Sequence, residues 1–143
     1  FVVDADPVRA GALMRSDHEA FADVPDERAA FAVEYAGGTL ASFTASQNAY
    51  QESHLRVTGT EGQITLEPVF FPWTDRSVTL SVDGASADIE FEQVDQMTEE
   101  FDYFAEWDVD GDSPHPDGAH GLVDMRALEA VYESAETGRT VEV

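Results

Sequence analysis

The stretch SVTLSVDGASADIEF, residues 77–91, alternates apolar and polar side chains on both sides of Asp83-Gly84. A period of two belongs to an extended chain, whose successive side chains point to opposite faces of a sheet. Asp-Gly is a preferred pair for the type I′ turn, which needs positive φ at both central residues. Folding about it pairs Val82 with Ala85, Leu80 with Ala87 and Val78 with Ile89, all on one face. Thr79, Ser81, Ser86 and Asp88 take the other. A register specified this strongly demands an antiparallel sheet with one apolar face and one wet face.

Two more hairpins precede it. In RAAFAVEYAGGTLASFTAS, Gly37-Gly38 predicts a two-residue turn. That turn puts Phe31, Val33, Tyr35 and Leu40 on one face, with Ala32, Ala36, Ala41 and Phe43 on the other. In SHLRVTGTEGQITLEP, Leu55 and Val57 return as Ile64 and Leu66 around a turn near Glu61-Gly62. Earlier still, Val8, Ala10, Ala12 and Met14 alternate and read as a strand, followed by an acidic loop.

From Asp95 the period changes. Met97, Phe101, Phe104 and Ala105 recur at helical spacing, with Asp95 as candidate N-cap. A second helix follows in GLVDMRALEAVYESAETG, with Leu122, Met125, Leu128, Val131 or Tyr132, and Ala135 as its apolar stripe. Gly138 stands where a helix-ending glycine belongs, and RTVEV closes as a short strand. Strands first and helices last predict an α+β fold: an open, mostly antiparallel sheet with helices packed on one face. Because the first hairpin gives both faces apolar character, the other face is expected to be available for oligomerisation or a second domain.

A chain of 143 residues suits a single domain, and 43% hydrophobic residues supply a core. No apolar run approaches the ~18–20 residues that span a bilayer, and no signal peptide is visible. The opening FVVDADPVRAG has no Met and looks cut from something longer. With no Cys, disulfides and thiolate chemistry are excluded, which fits a cytoplasmic setting. Thirty acidic residues face seven basic ones, all Arg, and Lys is absent. The net charge of −23 repels phosphates, so neither nucleic acid nor a membrane is an expected partner. The acids are dispersed along the chain. That composition reads as a protein from a salt-accumulating halophile, where charges are screened over about 3 Å at molar salt. An acidic partner-binding surface is the competing explanation. On the first reading the chain loses stability in low salt.

Few motifs carry chemistry. There is no G-x-G-x-x-G, no P-loop and no alternating βαβ pattern to hold either. Without Lys there is no Schiff base or Lys general acid. DVDGDSPHPDGAH mimics a calcium loop through Asp108, Asp110 and Asp112, but its glycine falls at the fourth place and Ala119 at the twelfth. His115 and His120 lack further evident ligands and read as residues at a helix start. Ser42, Ser46, His54 and Asp75 permit a triad on paper, yet no nucleophile elbow surrounds either Ser.

EPVFFPWTDR is different. Phe70, Phe71 and Trp73 crowd a loop that also carries Asp75 and Arg76. Aromatic faces beside polar groups suit the C–H faces and hydroxyls of a sugar or polyol. The alternative is a plug against the core, a neighbouring domain or another subunit. In SQNAYQ, Gln47, Asn48 and Tyr50 offer hydrogen-bonding groups, or simply turn chemistry.

The segment GGTLASFTASQNAYQESHLRVTGTEGQITL and the tail HPDGAHGLVDMRALEAVYESAETGRTVEV resemble the C-terminal domain of the Gfo/Idh/MocA oxidoreductase family. The resemblance spans nearly the whole chain and is nearest the aldose dehydrogenases. It implies one C-terminal domain over residues 1–143, with an N-terminal Rossmann domain, outside this chain, that binds NAD or NADP. It implies no cofactor site and no catalytic residue here, since the family's catalytic Lys lies in the Rossmann part. It implies oligomerisation through the open sheet face. In the family, the loop matching VFFPWTDR and the start of the first long helix lie towards the active site. Phe71, Trp73, Arg76 and Gln96 are therefore the candidate substrate-binding residues. The expected function is that of a pocket wall and subunit interface in an NAD(P)-dependent aldose or polyol dehydrogenase, inactive alone. The alternative is a stand-alone acidic protein-interaction or carbohydrate-binding module.

Overall fold

The computed structural model describes residues 3–71, 74–110 and 115–143. The elements run β1 (Pro7–Arg15), β2 (Arg28–Tyr35), β3 (Leu40–Ser46), β4 (Leu55–Thr58), β5 (Gly62–Glu67), β6 (Ser77–Val82), β7 (Ala85–Ile89), α1 (Gln96–Asp110), α2 (Gly118–Thr137) and β8 (Val141–Glu142). The α+β class is as expected. The strands form two four-stranded antiparallel sheets where the sequence pattern had suggested one. Each belongs to its own compact unit: residues 3–49 with 115–143, and residues 50–71 with 74–110.

In the first unit the strand order is β3-β2-β1-β8. β1 keeps the expected alternation: Ala10, Ala12 and Met14 lie over Val33, Phe31 and Ala29 of β2. The return through β3 does not. Phe43 pairs with Phe31 and Ala41 with Val33, while Leu40 pairs with Glu34. The backbone closes from Tyr35 N–H to Thr39 C=O at 2.9 Å, so the loop holds three residues, Ala36 to Gly38, not two. One extra residue reverses the parity of the returning strand and sends every side chain to the opposite face. Phe31, Val33, Tyr35, Ala41 and Phe43 therefore share one face, and the Phe31 and Phe43 rings stack at 4.7 Å. The other face carries Arg9, Arg15, Glu34, Ser42 and Thr44, with Arg9 Nε on Glu34 Oε2 at 2.6 Å. Ala30, Ala32, Leu40 and, on β1, Leu13 share this second face, with Leu13 and Leu40 exposed, so both faces keep the apolar character expected while the residues on each differ from those expected.

α2 covers the apolar face. Asp117 caps its start, and Gly138 ends it at φ 67°. The buried residues are Ala130, Val131 and Ser134, which meet Ala10 and Val33 in the core. Of the stripe expected from hydrophobicity, Val131 seats and Ala135 is half-buried, whereas Leu122, Met125, Leu128 and Tyr132 are exposed. A sheet surface of alanines and valines admits a helix through its small side chains, which let the backbones approach. Beyond β8, where β1 has run out of ladder partner, Ser134 Oγ accepts the Ala12 N–H at 2.9 Å.

Glu27 locks the adjoining loop. It is 4% exposed, and its carboxylate accepts the Asp17 and His18 N–H groups at 2.8 and 2.9 Å. Those backbone donors, His18 first, hold its pKa below the ordinary 4.5.

The second unit contains the sheet β4-β5-β6-β7. The Asp83-Gly84 turn has φ of 52° and 78° and gives the expected register. Leu55, Val57, Ile64, Leu66, Val78, Leu80, Ala87 and Ile89 all fall on one face. Arg56, Gln63, Thr65, Thr79, Ser81 and Asp88 fall on the other, where Thr79 donates to Asp88 at 2.8 Å. The apolar face is open: Leu55, Val57, Ile64, Leu80, Val82 and Ile89 are 38–42% exposed. α1 forms behind Asp95, whose side chain accepts the Thr98 N–H at 2.8 Å. Its stripe of Met97, Phe101 and Phe104 is exposed.

Two outcomes test this account. A Cβ on Gly62 would sit 2.4 Å from the Ser81 carbonyl oxygen of the paired strand. Gly62→Ala should therefore cost about 1–3 kcal/mol in thermal unfolding, whereas Gly121→Ala, with open space at its Cβ, should not lower Tm. Glu27 has a depressed folded pKa, so it stabilises the fold above 4.5 and loses that contribution as pH falls through the lowered value. Glu27→Gln should lower Tm at neutral pH, and its gap from wild type should narrow on acidification below 4.5. An equal gap at pH 3 and pH 7 would refute the role given to the carboxylate.

Candidate functional site

The second unit carries the residues singled out for substrate. β5 ends at Glu67 and β6 begins at Ser77, so the aromatic loop is held at both ends by paired strands. Ser53, just before β4, ties down its first half: its hydroxyl accepts the Val69 N–H at 2.9 Å and the Phe70 N–H at 3.2 Å. This hydroxyl takes the place of a strand partner for backbone that has left the ladder.

Between these segments lies an open cleft of about 690 Å³. Tyr50, Gln51, Glu52 and Ser53 line one side, and Glu67, Pro68, Phe71 and Thr74 the other. Tyr50 and Phe71 supply ring faces, and Glu52 and Glu67 supply carboxylate acceptors. Rings that take C–H faces beside acceptors that take hydroxyl protons form a set matched to a polyhydroxylated ligand.

Arg76 and Gln96 are 20 positions apart in sequence, and the β6-β7 hairpin brings them together. Arg76 donates from NH2 to Gln96 Oε1 at 2.8 Å and from NH1 to the Val94 carbonyl at 3.3 Å. Gln93 completes the arrangement. Its Oε1 accepts the Arg76 N–H at 3.0 Å, and its Nε2 donates to the Arg76 carbonyl at 2.9 Å. Next door Asp95 has its pKa lowered, first by the Thr98 backbone N–H.

Of the four candidates, then, Arg76 and Gln96 form one polar pair and Phe71 lines the cleft. Trp73 lies outside the described residues. Sequence reasoning missed Gln93, Ser53 and the two cleft carboxylates. A glutamine just before a helix, or a serine just before a strand, has no local pattern that announces its partner.

The remaining motifs resolve into structure. His120 Nδ1 lies 2.8 Å from Asp117 Oδ1 in the cap of α2, and that contact is the first cause of the lowered Asp117 pKa. The His115 and His120 rings meet edge to face at 4.7 Å. The calcium-like run falls on undescribed side chains at Asp108 and Asp110 and on undescribed Asp112. Among the described residues no group of three or more acids and histidines is placed to hold a metal ion. In the set considered as a triad, Ser42 lies on β3 and His54 pairs with Glu52 at 3.6 Å. Every strand pairing among the described residues is antiparallel. The parallel βαβ unit on which a Rossmann-type dinucleotide site is built is not among these pairings. Nor is any described helix long and apolar enough to cross a membrane.

Comparison with known proteins adds three findings. Residues 3–143 match a family described as "Oxidoreductase family, C-terminal alpha/beta domain". The chain is 49% identical over 143 residues to D-xylose 1-dehydrogenase, NADP(+), of Haloarcula marismortui, covering all of this chain and 40% of that protein. It is 31% identical over 120 residues to D-xylose 1-dehydrogenase, NADP(+), 2 of Haloferax volcanii, covering 82% of this chain and 37% of that one. The chain thus spans about two fifths of the length of these relatives. Among solved structures, an aldose-aldose oxidoreductase from Caulobacter crescentus complexed with glycerol superposes with a TM-score of 0.85 at 23% identity, over 97% of this chain and 42% of that one. That likeness establishes the fold.

The Ser53 contacts make a measurable claim. Ser53→Ala removes the acceptor of two loop N–H groups and should cost about 1 kcal/mol in thermal unfolding. Faster amide exchange at Val69 and Phe70 should accompany it, and unchanged exchange there would remove Ser53 from the loop's support.

Proposed function

Because the chain belongs to the Gfo/Idh/MocA oxidoreductase family as a C-terminal alpha/beta domain, we propose that it walls the sugar pocket of an NADP-dependent D-xylose or related aldose dehydrogenase. The observation that carries this reading is the identity of 49% along the entire chain to a D-xylose 1-dehydrogenase. The ring-and-acceptor chemistry beside Phe71 supports it.

On this reading an N-terminal dinucleotide-binding domain holds NADP and supplies the redox chemistry. The present residues select and orient the sugar. Phe71 stacks against its C–H face, and Arg76 and Gln96 form the polar edge of the wall. The open apolar face of β4-β5-β6-β7 is the surface given to a second copy of the chain, since apolar area of this extent is costly to leave in water. The net charge of −23 and the absence of Lys belong to a cytoplasm at molar salt.

The experiment is a spectrophotometric assay of NADP+ reduction with D-xylose in molar salt. The polypeptide joining this domain to its dinucleotide-binding half should be active, and the 143-residue chain alone inactive. Phe71→Ala in the joined protein should raise KM for the sugar about tenfold through the lost ring contact. Turnover by the isolated chain would overturn the proposal, as would a joined protein that reduces NADP+ with no aldose. Either result would favour a binding module.

A further inference from the structure

The Arg76 guanidinium is already engaged. Two of its nitrogens donate to protein acceptors, Val94 C=O and Gln96 Oε1. Its backbone is engaged as well, because the Gln93 carboxamide bonds both the N–H and the C=O of Arg76. A carboxamide that donates and accepts with one residue reproduces the pairing of a neighbouring strand. The four bonds tie the chain just before β6 to the chain just before α1. They also fix the orientation of one side chain. With Oε1 held by Arg76, the Gln96 amide presents Nε2, a donor, as its remaining polar atom.

We propose that Arg76 and Gln93 form a latch that positions the start of α1 and sets the amide of Gln96, so that Gln96 meets the sugar as a hydrogen-bond donor to a hydroxyl oxygen. Arg76 is then a positioning residue and Gln96 the one that reads the ligand. This deepens the assignment of the sugar wall and rests on it. The planar guanidinium is required because it spans two acceptors at once. A lysine ammonium at this place is a single point donor.

The test joins amide exchange to steady-state kinetics in the protein that carries both domains. Gln93→Ala should speed exchange at the Arg76, Thr98 and Glu99 amides, and Arg76→Ala at the Thr98 and Glu99 amides, by roughly tenfold, the effect of one to two lost hydrogen bonds. Each should raise KM for xylose, and the double variant should do no more than either alone. Arg76→Lys should fail to restore either readout. Gln96→Glu keeps an acceptor for Arg76 but removes the donor, so it should raise KM while exchange stays at the wild-type rate. Unchanged exchange in Gln93→Ala overturns the latch. Faster exchange with unaltered KM overturns its role in the sugar site. An additive double variant assigns Arg76 to direct sugar contact and overturns the positioning role. A wild-type protein without xylose-dependent NADP+ reduction defeats the functional assignment instead, and the exchange measurements still judge the latch.

Discussion

A strand can send its side chains in only two directions, and which residues go which way decides what each sheet can bury. In β4 to β7 the segregation covers the positions from Leu55 to Ile89, and the opposite face is hydroxyls, amides and charges. In β1 to β3 it gathers Ala10, Ala12, Val33, Phe31 and Phe43. In β1 to β3, where α2 covers the set, a slip of one residue would transfer it to water, so the register there is enforced by burial as much as by turns. The seat of α2 follows. It packs where the sheet surface is made of small side chains, closely enough for Ser134 to reach the Ala12 backbone at 2.9 Å.

Legibility tracked how directly a local feature fixes parity. Asp83-Gly84 closes a two-residue turn, so the pairing of Val82 with Ala85 and of Val78 with Ile89 was readable from the letters alone. Gly37-Gly38 was not. Both glycines adopt positive φ, of 88° and 89°, but the loop takes in Ala36 as well. Composition marks where a chain turns; it does not count the residues that turn. Caps behaved like the first case: Asp95, Asp117 and Gly138 act through groups within a few residues of themselves. The α2 stripe behaved like the second. Hydrophobicity named Val131, which is buried, along with Leu122 and Met125, which are not, and it passed over Ala130 and Ser134, which pack on the sheet of alanines.

The candidate site was readable as residue types and not as a constellation. Aromatic crowding drew attention to Phe71, and the family resemblance to Arg76 and Gln96. Their arrangement depends on side chains that stand in for backbone. Ser53 bonds two loop N–H groups, Gln93 pairs with both backbone groups of Arg76, and Glu27 does the same kind of work for the loop before β2. Each acts where a chain leaves its ladder and its polar groups need partners. These roles join segments 9 to 17 residues apart. They become visible only once the hairpins bring the segments together.

Charge and apolar exposure pull against each other in the proposed assembly. Bringing together two copies that each carry a net charge of −23 is opposed by repulsion at low ionic strength, whatever apolar area they bury. At molar salt the screening length falls to about 3 Å, and the repulsion between exposed charges farther apart than that fades. The same salt leaves the gain from covering Val57, Ile64 and Leu80 intact. Salt and the open sheet face are therefore one design variable: the acid that keeps a dispersed chain in solution permits association only where its field is screened. On the proposed assembly, an apolar face this continuous would be tolerable in so acidic a chain, because the condition that screens the charge would also be the one under which a second copy covers it.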